Sequence, residues 1–238
     1  MKIVDIDALQ ILDSRGNPTL EVSVLLADGS HGTFRVPSGA STGVHEAHEL
    51  RDGDKNYYHG KSVQRAVENV KVLKEQLINK SFTQQSLDET MCSLDGTENK
   101  SHYGANALLG ISGAFSRAMA QHLQLPLWEY LRRLHEGVDM HNKQFGSLPS
   151  LHFFANVING GLHSGNGLNI QEFMFVPVSG TVPEKIRMLS EMYLTLKERI
   201  IEIYGKESTG VGDEGGFAPN ITRTVDAMDL MMYAIKQA

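Results

Sequence analysis

Cysteine is nearly absent from this sequence of 238 residues, and its only cysteine is Cys92. An intrachain disulfide therefore cannot form, which excludes a disulfide-stapled secreted scaffold and favours a reducing compartment, the cytoplasm. Cys92 has no flanking histidine or basic residue, so we interpret it as small apolar filler. The sequence also lacks a signal peptide's apolar segment and any run near the roughly 18 apolar residues of a membrane span. We therefore expect a protein that is soluble and not exported.

Clustered positive charge is missing as well. The chain carries 22 Lys and Arg against 28 Asp and Glu, a formal net charge of −6. Nucleic-acid binding needs concentrated Lys and Arg to neutralise phosphates, so we do not expect a nucleic-acid partner. The 41% hydrophobic and 21% charged residues are instead typical of a folded globular protein.

The first half of the chain has the pattern of a strand hairpin followed by helices. Leu20, Val22 and Val24 alternate with polar residues, Asp28-Gly29 forms a turn signal, and residues 33–36 can return as the partner strand. Helical periodicity covers residues 63–77 and 104–123, the second ending before Leu125-Pro126. We predict an α+β domain over residues 1–133 and a polar linker over 134–146.

The second half changes to buried strands and longer helices. Residues 153–158 and 170–178 are predicted strands, with a glycine-rich loop between them. A helix is predicted over 183–204, since Pro183 suits a first turn and Gly205 a C-terminal cap. A further helix passes through the apolar residues Val225, Met228, Met232 and Ile235.

Three loops of small residues carry the groups that can perform chemistry. Residues 37–43 can hold an anion through backbone N–H groups, although such loops are more often simple connections. His163, Glu172 and Glu214 stand in or beside the two glycine-rich loops of the second half. Taken singly, the histidine is as readily structural and the acids as readily solvated turn residues. Together they are typical of a site that binds a cation and moves protons.

The same loops carry the motifs of a known family. Residues 11–19 read Ile-Leu-Asp-Ser-Arg-Gly-Asn-Pro-Thr and residues 36–43 read Val-Pro-Ser-Gly-Ala-Ser-Thr-Gly. Leu-Asp-Gly-Thr at 94–97, Gly-Ala-Asn-Ala at 104–107 and Asn-Val-Ile-Asn-Gly-Gly at 156–161 follow in order. Gln-Glu-Phe-Met at 171–174 and the stretch 212–219 complete the series. Across its whole length the chain resembles the enolases. The resemblance implies an α+β N-terminal domain followed, over residues 147–238, by the first portion of a TIM-like β/α barrel, here incomplete.

The resemblance implies a function as well: Mg²⁺-dependent dehydration of 2-phosphoglycerate to phosphoenolpyruvate in glycolysis, by a homodimeric lyase. In this superfamily a lysine or histidine base works with Mg²⁺ that stabilises the enediolate. Carried over by matching motifs, Glu214 is the acid that assists hydroxyl departure, with Glu172 as its acidic neighbour. His163 and Gln171 match substrate-binding positions. Ser41 matches a loop ligand of the second Mg²⁺.

Several positions depart from the family's pattern. Residues 151–154 read Leu-His-Phe-Phe where prolines are usual, and Leu162 replaces a polar or small residue beside His163. Gly113 interrupts a predicted helix where a larger apolar residue is usual, at a cost of up to about 1 kcal/mol relative to Ala. None of these departures removes a named site residue.

The later barrel strands have no counterpart in this sequence. A (β/α)₈ barrel takes about 250 residues and eight strands, whereas residues 147–238 hold two predicted strands. The missing part brings the family's three acidic Mg²⁺ ligands, its lysine base and its phosphate-gripping basic groups. Three hypotheses follow: a truncated sequence, one half of a split enzyme completed by a second polypeptide, or a catalytically inert module for dimerisation or another interaction.

Overall fold

The structure is a computed structural model that describes residues 1–39, 43–140, 151–161, 164–212 and 214–238. The chain divides into two compact units, Met1–Phe145 and Gly146–Ala238. Each unit has its own hydrophobic cluster. The predicted domain limits at residues 133 and 147 stay predictions.

A three-stranded antiparallel sheet, in the order β1-β2-β3, forms one layer of the first unit. Its strands are β1 (Ile3–Leu12), β2 (Pro18–Leu26) and β3 (His31–Arg35). The predicted β2–β3 hairpin is confirmed, and β1 is a strand that sequence patterning did not identify. In β2 Leu20, Val22 and Val24 are buried, because the period-two alternation directs them to the helical side of the sheet.

The described residues of the first unit form four α-helices: α1 (Gln64–Leu77), α2 (Gln84–Asp95), α3 (Ala105–His122) and α4 (Leu127–Glu136). A short 3₁₀ turn, Tyr58–Gly60, precedes them. The predictions of α1 and α3 are confirmed, whereas α2 and α4 were not predicted. Because α4 reaches Glu136, the first residues of the predicted linker are helical.

Glycines let α3 press directly against the sheet. A methyl group added to Gly32 of β3 would lie 2.2 Å from the Ala114 carbonyl oxygen, and one added to Gly113 would lie 2.5 Å from the Phe34 ring. Both distances are far inside van der Waals contact. Gly113 is therefore explained by close packing of α3 on Phe34, which offsets its poor helix propensity.

A buried ion pair stabilises α4. Arg133 Nε donates to Glu129 Oε1 at 2.6 Å, and both side chains have an exposed fraction of 0%. Arg132 donates to both oxygens of Glu129, at 2.8 and 2.7 Å. Hydrogen bonding from Arg132, reinforced by Arg133 and opposed by desolvation, lowers the pKa of Glu129 to about 2.

The second unit contains an antiparallel pair of strands and two long helices. The strands are β4 (Ala155–Asn159) and β5 (Glu172–Phe175), which confirms two strands with shorter limits than predicted. The helices are α5 (Val182–Tyr204) and α6 (Thr224–Gln237), with a 3₁₀ turn, Lys206–Thr209, between them. Together they are the beginning of a barrel that does not close.

The core of the second unit lies between the strand pair and its helices. It includes Val157, Ile158, Phe173, Leu196, Ile200, Phe217, Leu230 and Met231. On α6 the buried face is formed by Ala227, Leu230, Met231 and Ala234. The apolar residues by which this helix was predicted lie on its exposed side instead: Val225, Met228, Met232 and Ile235. Among the residues that the structure describes, no helix is long and apolar enough to cross a membrane.

Candidate functional site

Glu214 is held by amide groups from three positions in the second unit. Asn156 Nδ2 donates to Glu214 Oε2 at 2.9 Å, and Asn159 Nδ2 donates to the same oxygen at 3.0 Å. Gln171 Nε2 donates to Oε1 at a longer 3.3 Å. Hydrogen bonds to an ionised acceptor are roughly twice as strong as neutral ones. We call Asn156, Asn159, Gln171 and Glu214 the amide cradle.

The two strands and the loop after the second 3₁₀ turn position the cradle. Asn156 and Asn159 stand near the two ends of β4, and a register shift between Asn156 and Ile158 marks a bulge. Such a bulge re-aims the side chains beside it. The loop is fastened alongside β4 because Phe217 N–H donates to the Val157 carbonyl and Asn159 N–H donates to the Phe217 carbonyl, both at 2.9 Å. Glu214 lies three residues before Phe217, so this attachment places its carboxylate beside the two asparagine side chains.

Gly216 lies against the two asparagine side chains. A methyl group added to it would lie 2.4 Å from Asn159 Oδ1 and 3.0 Å from Asn156 Oδ1. Both oxygens are buried and have no hydrogen-bond partner among the described residues. Only glycine fits at position 216 without displacing these amides.

Tyr193 of α5 supports the same loop through its hydroxyl and its ring. Its hydroxyl donates to the Gly215 carbonyl at 2.9 Å, and its ring stacks on Phe217 with centroids 4.4 Å apart. Burial raises the pKa of Tyr193 above its ordinary value, so the hydroxyl stays a donor at neutral pH. Sequence analysis predicted the helix that carries Tyr193 but did not identify its hydroxyl as a support for the loop.

The glycine-rich loop between β4 and β5 is tied to β4 by short polar contacts. Asn166 Nδ2 donates to the Asn159 carbonyl at 2.9 Å, and the Ser164 hydroxyl donates to Asn166 Oδ1 at 2.7 Å. Gly161 N–H donates to the Leu168 carbonyl at 2.8 Å. These contacts anchor both ends of the segment that carries position 163.

The structure brings some of the predicted site residues together. Glu214 and Gln171 meet in the amide cradle, and Glu172 lies directly opposite Asn159 in the β4–β5 ladder. His163 and Ser41 lie outside the described residues, so their predicted roles stay predictions. Asn156, Asn159 and Gly216 were recognised only as parts of motifs. The sequence feature that could have identified them is the spacing of amide residues and glycines around one acidic residue.

In the first unit a polar cluster fixes Ser38, near the predicted metal-binding loop. Arg15 Nη2 donates to the Ser38 carbonyl at 2.8 Å, and Arg51 Nη2 donates to the Ser38 hydroxyl oxygen at 2.9 Å. Arg51 also pairs with Glu49 at 2.7 Å. Ser38 is thus a fixed point from which the chain enters residues 40–42.

Magnesium requires several oxygen ligands in a regular arrangement. Among the described residues no group of three or more His, Cys, Asp or Glu side chains is placed to hold a metal ion. The cradle offers Glu214 surrounded by amide N–H donors, which repel a cation. The described residues therefore do not form a magnesium cage by themselves.

Comparison with known proteins accounts for both units. The family described as "Enolase, N-terminal domain" matches residues 3–131, and "Enolase, C-terminal TIM barrel domain" matches residues 147–238. The Enolase of Pyrococcus furiosus is 49% identical over 240 residues, which cover 100% of this chain and 53% of the relative. The Enolase of Thermococcus kodakarensis is 48% identical over 240 residues, and Enolase 1 of Entamoeba histolytica 49% over 241, with the same coverage of each chain.

The chain thus spans about half the length of the curated relatives that it matches. The matched regions together contain the sheet, the amide cradle and every described helix except the last five residues of α4. The chain belongs to the enolase family.

Proposed function

We propose that this chain supplies the acid side of an enolase active site, for the dehydration of 2-phosphoglycerate to phosphoenolpyruvate. The observation that carries the proposal is the amide cradle, in which one exposed carboxylate, Glu214, is held by three side-chain amides. A surface acid with no function has no need of three converging donors. Membership in the enolase family gives the reaction class.

Glu214 acts in the proposal as the general acid. It transfers a proton to the C3 hydroxyl of the substrate, the C3–O bond breaks, and the hydroxyl leaves as water. Proton transfer by a positioned side chain contributes about 10²–10⁴-fold to a rate. Glu172, opposite Asn159, is the acidic neighbour. Gln171 and His163 contact the substrate in this proposal.

Mg²⁺ dependence is part of the proposal, because the enolase family uses this ion. Ser41 is the ligand that the present sequence offers by motif. The other ligands and the lysine base come from the later barrel strands, which we propose to be supplied by a longer chain or by a second polypeptide. No step of the proposal is routed through the metal.

A dimer of the kind that the family forms is the proposed assembly, and the cytoplasm is the proposed location. Glycolysis is a cytoplasmic pathway, and the lone cysteine agrees with a reducing compartment. The substrate is a small phosphorylated acid, not a nucleic acid.

The test is a complementation assay for phosphoenolpyruvate formation with Mg²⁺. Residues 1–238 alone are expected to give no turnover, and turnover is expected when a polypeptide carrying the later strands of the Pyrococcus furiosus relative is added. In the assembled enzyme, Glu214→Gln is expected to lose about 10²–10⁴-fold in kcat. Glu198→Gln, an exposed change on α5, is the matched control and keeps full activity.

The alternative is a catalytically inert module, and the exposed apolar side of α6 favours it as a binding surface. Assembly with the second polypeptide but no turnover would support this alternative. Full activity of Glu214→Gln would refute the role of the acid.

A further inference from the structure

We propose that Tyr193 of α5 is a positioning residue for the acid, and that its hydroxyl holds the Gly215 peptide so that Glu214 faces the C3 hydroxyl of the substrate. The proposal rests on the role proposed above for Glu214 and adds a helix residue on which that role depends. Tyr193 neither gains nor loses a proton in the reaction. It acts through residues 214–217, which we call the acid loop.

The backbone of the acid loop has little stiffness of its own. Gly215 and Gly216 follow Glu214 directly, and Gly215 has a φ of +82°, in the left-handed region that favours glycine. Glycine has a wide choice of backbone conformations, so two glycines in succession leave the direction of the preceding side chain undetermined by local sterics. Contacts from elsewhere in the second unit must therefore select the conformation in which Glu214 is held.

Hydrogen bonds hold Gly215 at both of its backbone polar groups. Its N–H donates to the Gly212 carbonyl at 3.0 Å, which closes a turn within the same stretch of chain. Its carbonyl accepts from the Tyr193 hydroxyl at 2.9 Å. The first bond joins two glycines of one pliable stretch, whereas the second ties that stretch to a 23-residue helix. The hydroxyl of Tyr193 thus relates the backbone next to Glu214 to a rigid element.

The ring of Tyr193 secures the other end of the acid loop. It stacks on Phe217 with centroids 4.4 Å and planes 16° apart. Phe217 is buried, and its backbone bonds to Val157 and Asn159 attach it to β4. Tyr193 therefore contacts the loop from α5 at positions 215 and 217, while the asparagines of the amide cradle hold the carboxylate from β4. The acid is located by contacts from both elements.

A packing role alone would not require the hydroxyl. Leu189 and Met192 of α5 pack against the same core without any polar hydrogen. Burial raises the pKa of Tyr193, so its hydroxyl keeps the proton and remains a donor over the neutral range. A backbone carbonyl can only accept, so this bond favours one orientation of the Gly215 peptide over the others.

The kinetic test uses the assembled enzyme of the complementation assay. Tyr193→Phe removes the hydroxyl and keeps the ring on Phe217, and it is expected to lower kcat by about 5- to 50-fold, because small misplacements of a catalytic group have effects of this size. KM should change by less than about threefold, since in the proposal Tyr193 does not contact the substrate. Tyr204→Phe is the matched control. It removes a hydroxyl of the same helix from the groove between α5 and α6 and should leave both constants unchanged.

A double-mutant cycle separates positioning of the acid from general support of the fold. Glu214→Gln already removes the proton donor, so adding Tyr193→Phe should lower kcat further by less than about twofold. A merely structural role would give the same factor in both backgrounds. Equal factors, or a wild-type kcat in Tyr193→Phe, would overturn the positioning proposal while the proposed function stands.

If instead the wild-type assembly is inactive, the proposed function fails, and carbonyl-carbon NMR of the chain, or of its complex with the second polypeptide, decides on Tyr193. Tyr193→Phe should shift the Gly215 carbonyl signal, which loses its donor, and the Glu214 carboxyl signal, which moves with the backbone. Tyr204→Phe should leave both signals in place. A Glu214 signal that stays in place in Tyr193→Phe would overturn the proposal, because the hydroxyl then does not place the acid.

Discussion

Helices α1 and α6 have the same length, 14 residues, and differ in how many faces are apolar. The outer side of α1 carries charges, including the Lys71–Glu68 pair at 3.0 Å. The outer side of α6 carries Val225, Met228, Met232 and Ile235, each exposed. Asp229 and Lys236 are also exposed on α6, so its outer side is mixed, but its apolar share is larger than that of α1. The outer side of α6 therefore offers apolar surface for further covering, which the charged outer side of α1 does not.

The second unit exposes further large apolar residues beyond α6. Ile186, Leu194 and Ile203 of α5 are also exposed, as is Phe154, just before β4. Contiguous exposed apolar patches mark interaction sites or aggregation hazards. We therefore expect the second unit to depend more than the first on a covering chain segment or partner for its stability.

The largest expected effect comes from separating the two units. A polypeptide of residues 1–145 should unfold in urea as one cooperative transition with native-like near-UV circular dichroism. Residues 146–238 should lack a cooperative transition and bind the apolar dye ANS, because apolar residues of α5 and α6 are exposed. Both polypeptides would be measured side by side at equal concentration. Cooperative unfolding of residues 146–238 as a monomer would contradict the expected difference between the two units.

Next in size is the close packing of α3 on β3. Gly32→Ala should destabilise the first unit by about 1–3 kcal/mol, the usual cost of overpacking, since its methyl group meets backbone atoms of α3. The free energy of unfolding in urea measures the loss. Gly43→Ala in the same unit is the control, because its methyl group would meet nothing closer than 3.7 Å, and it should change that free energy by no more than about 0.5 kcal/mol. A neutral Gly32→Ala would show that α3 can move away from the sheet.

The same packing of α3 on the sheet can be tested at Gly113, together with a second substitution that relieves the clash. Gly113→Ala gains helix propensity but places a methyl group against the Phe34 ring, so we expect a net loss of about 1 kcal/mol or more. Phe34→Leu in the same chain should recover part of it. The double-mutant cycle of unfolding free energies measures the coupling, and strict additivity would contradict direct contact.

A smaller loss of stability is expected in the first unit at low pH. The pKa of Glu129 is lowered from 4.5 to about 2 by Arg132 and then Arg133. A group with a depressed folded pKa contributes stability that is complete above its unfolded pKa and is lost as the pH falls through the folded one. The urea midpoint of residues 1–145 should therefore fall between about pH 4.5 and 2. Glu129→Gln should be less stable at neutral pH and show a shallower fall over this window. Equal slopes would contradict the prediction.

The smallest effect is expected on the outer side of α6. Met232→Lys should reduce ANS binding and self-association of the chain, because it places a charge on an exposed apolar position. Leu230→Ala, on the buried side, should increase ANS binding instead, because it opens the core of the second unit. ANS fluorescence and light scattering provide the two measurements. Increased ANS binding by Met232→Lys would place this side of α6 in the core of the chain.

Sequence patterns predicted the elements whose apolar spacing is regular. The hairpin of β2 and β3, both strands of the second unit, and α1, α3, α5 and α6 were found in this way. By contrast α2 was missed because it buries only Leu87 and Met91 among its large apolar residues. The first turn of α2 is closed by a Thr83–Ser86 capping box, without the usual Glu or Gln. The buried Glu129 and Arg133 hid α4, since polar residues in a core mimic a surface pattern.

The candidate site was predicted in part. Glu214, Gln171 and Glu172 were identified by motif, and the structure places the first two in contact. What motifs could not give is direction: which side-chain atom donates to which oxygen depends on the bulge in β4 and on the loop fastened by Phe217. Those are long-range backbone contacts, and no local pattern records them.

The hydrogen bond from Asn156 to Glu214 joins residues 58 positions apart, with the 23-residue helix α5 between them. Closing a long loop costs chain entropy before the contact at its end can repay it. We therefore expect the amide cradle to form late in folding, because its contacts close the loop that contains α5. A nascent or partly unfolded chain would then lack the arrangement that we propose for the acid.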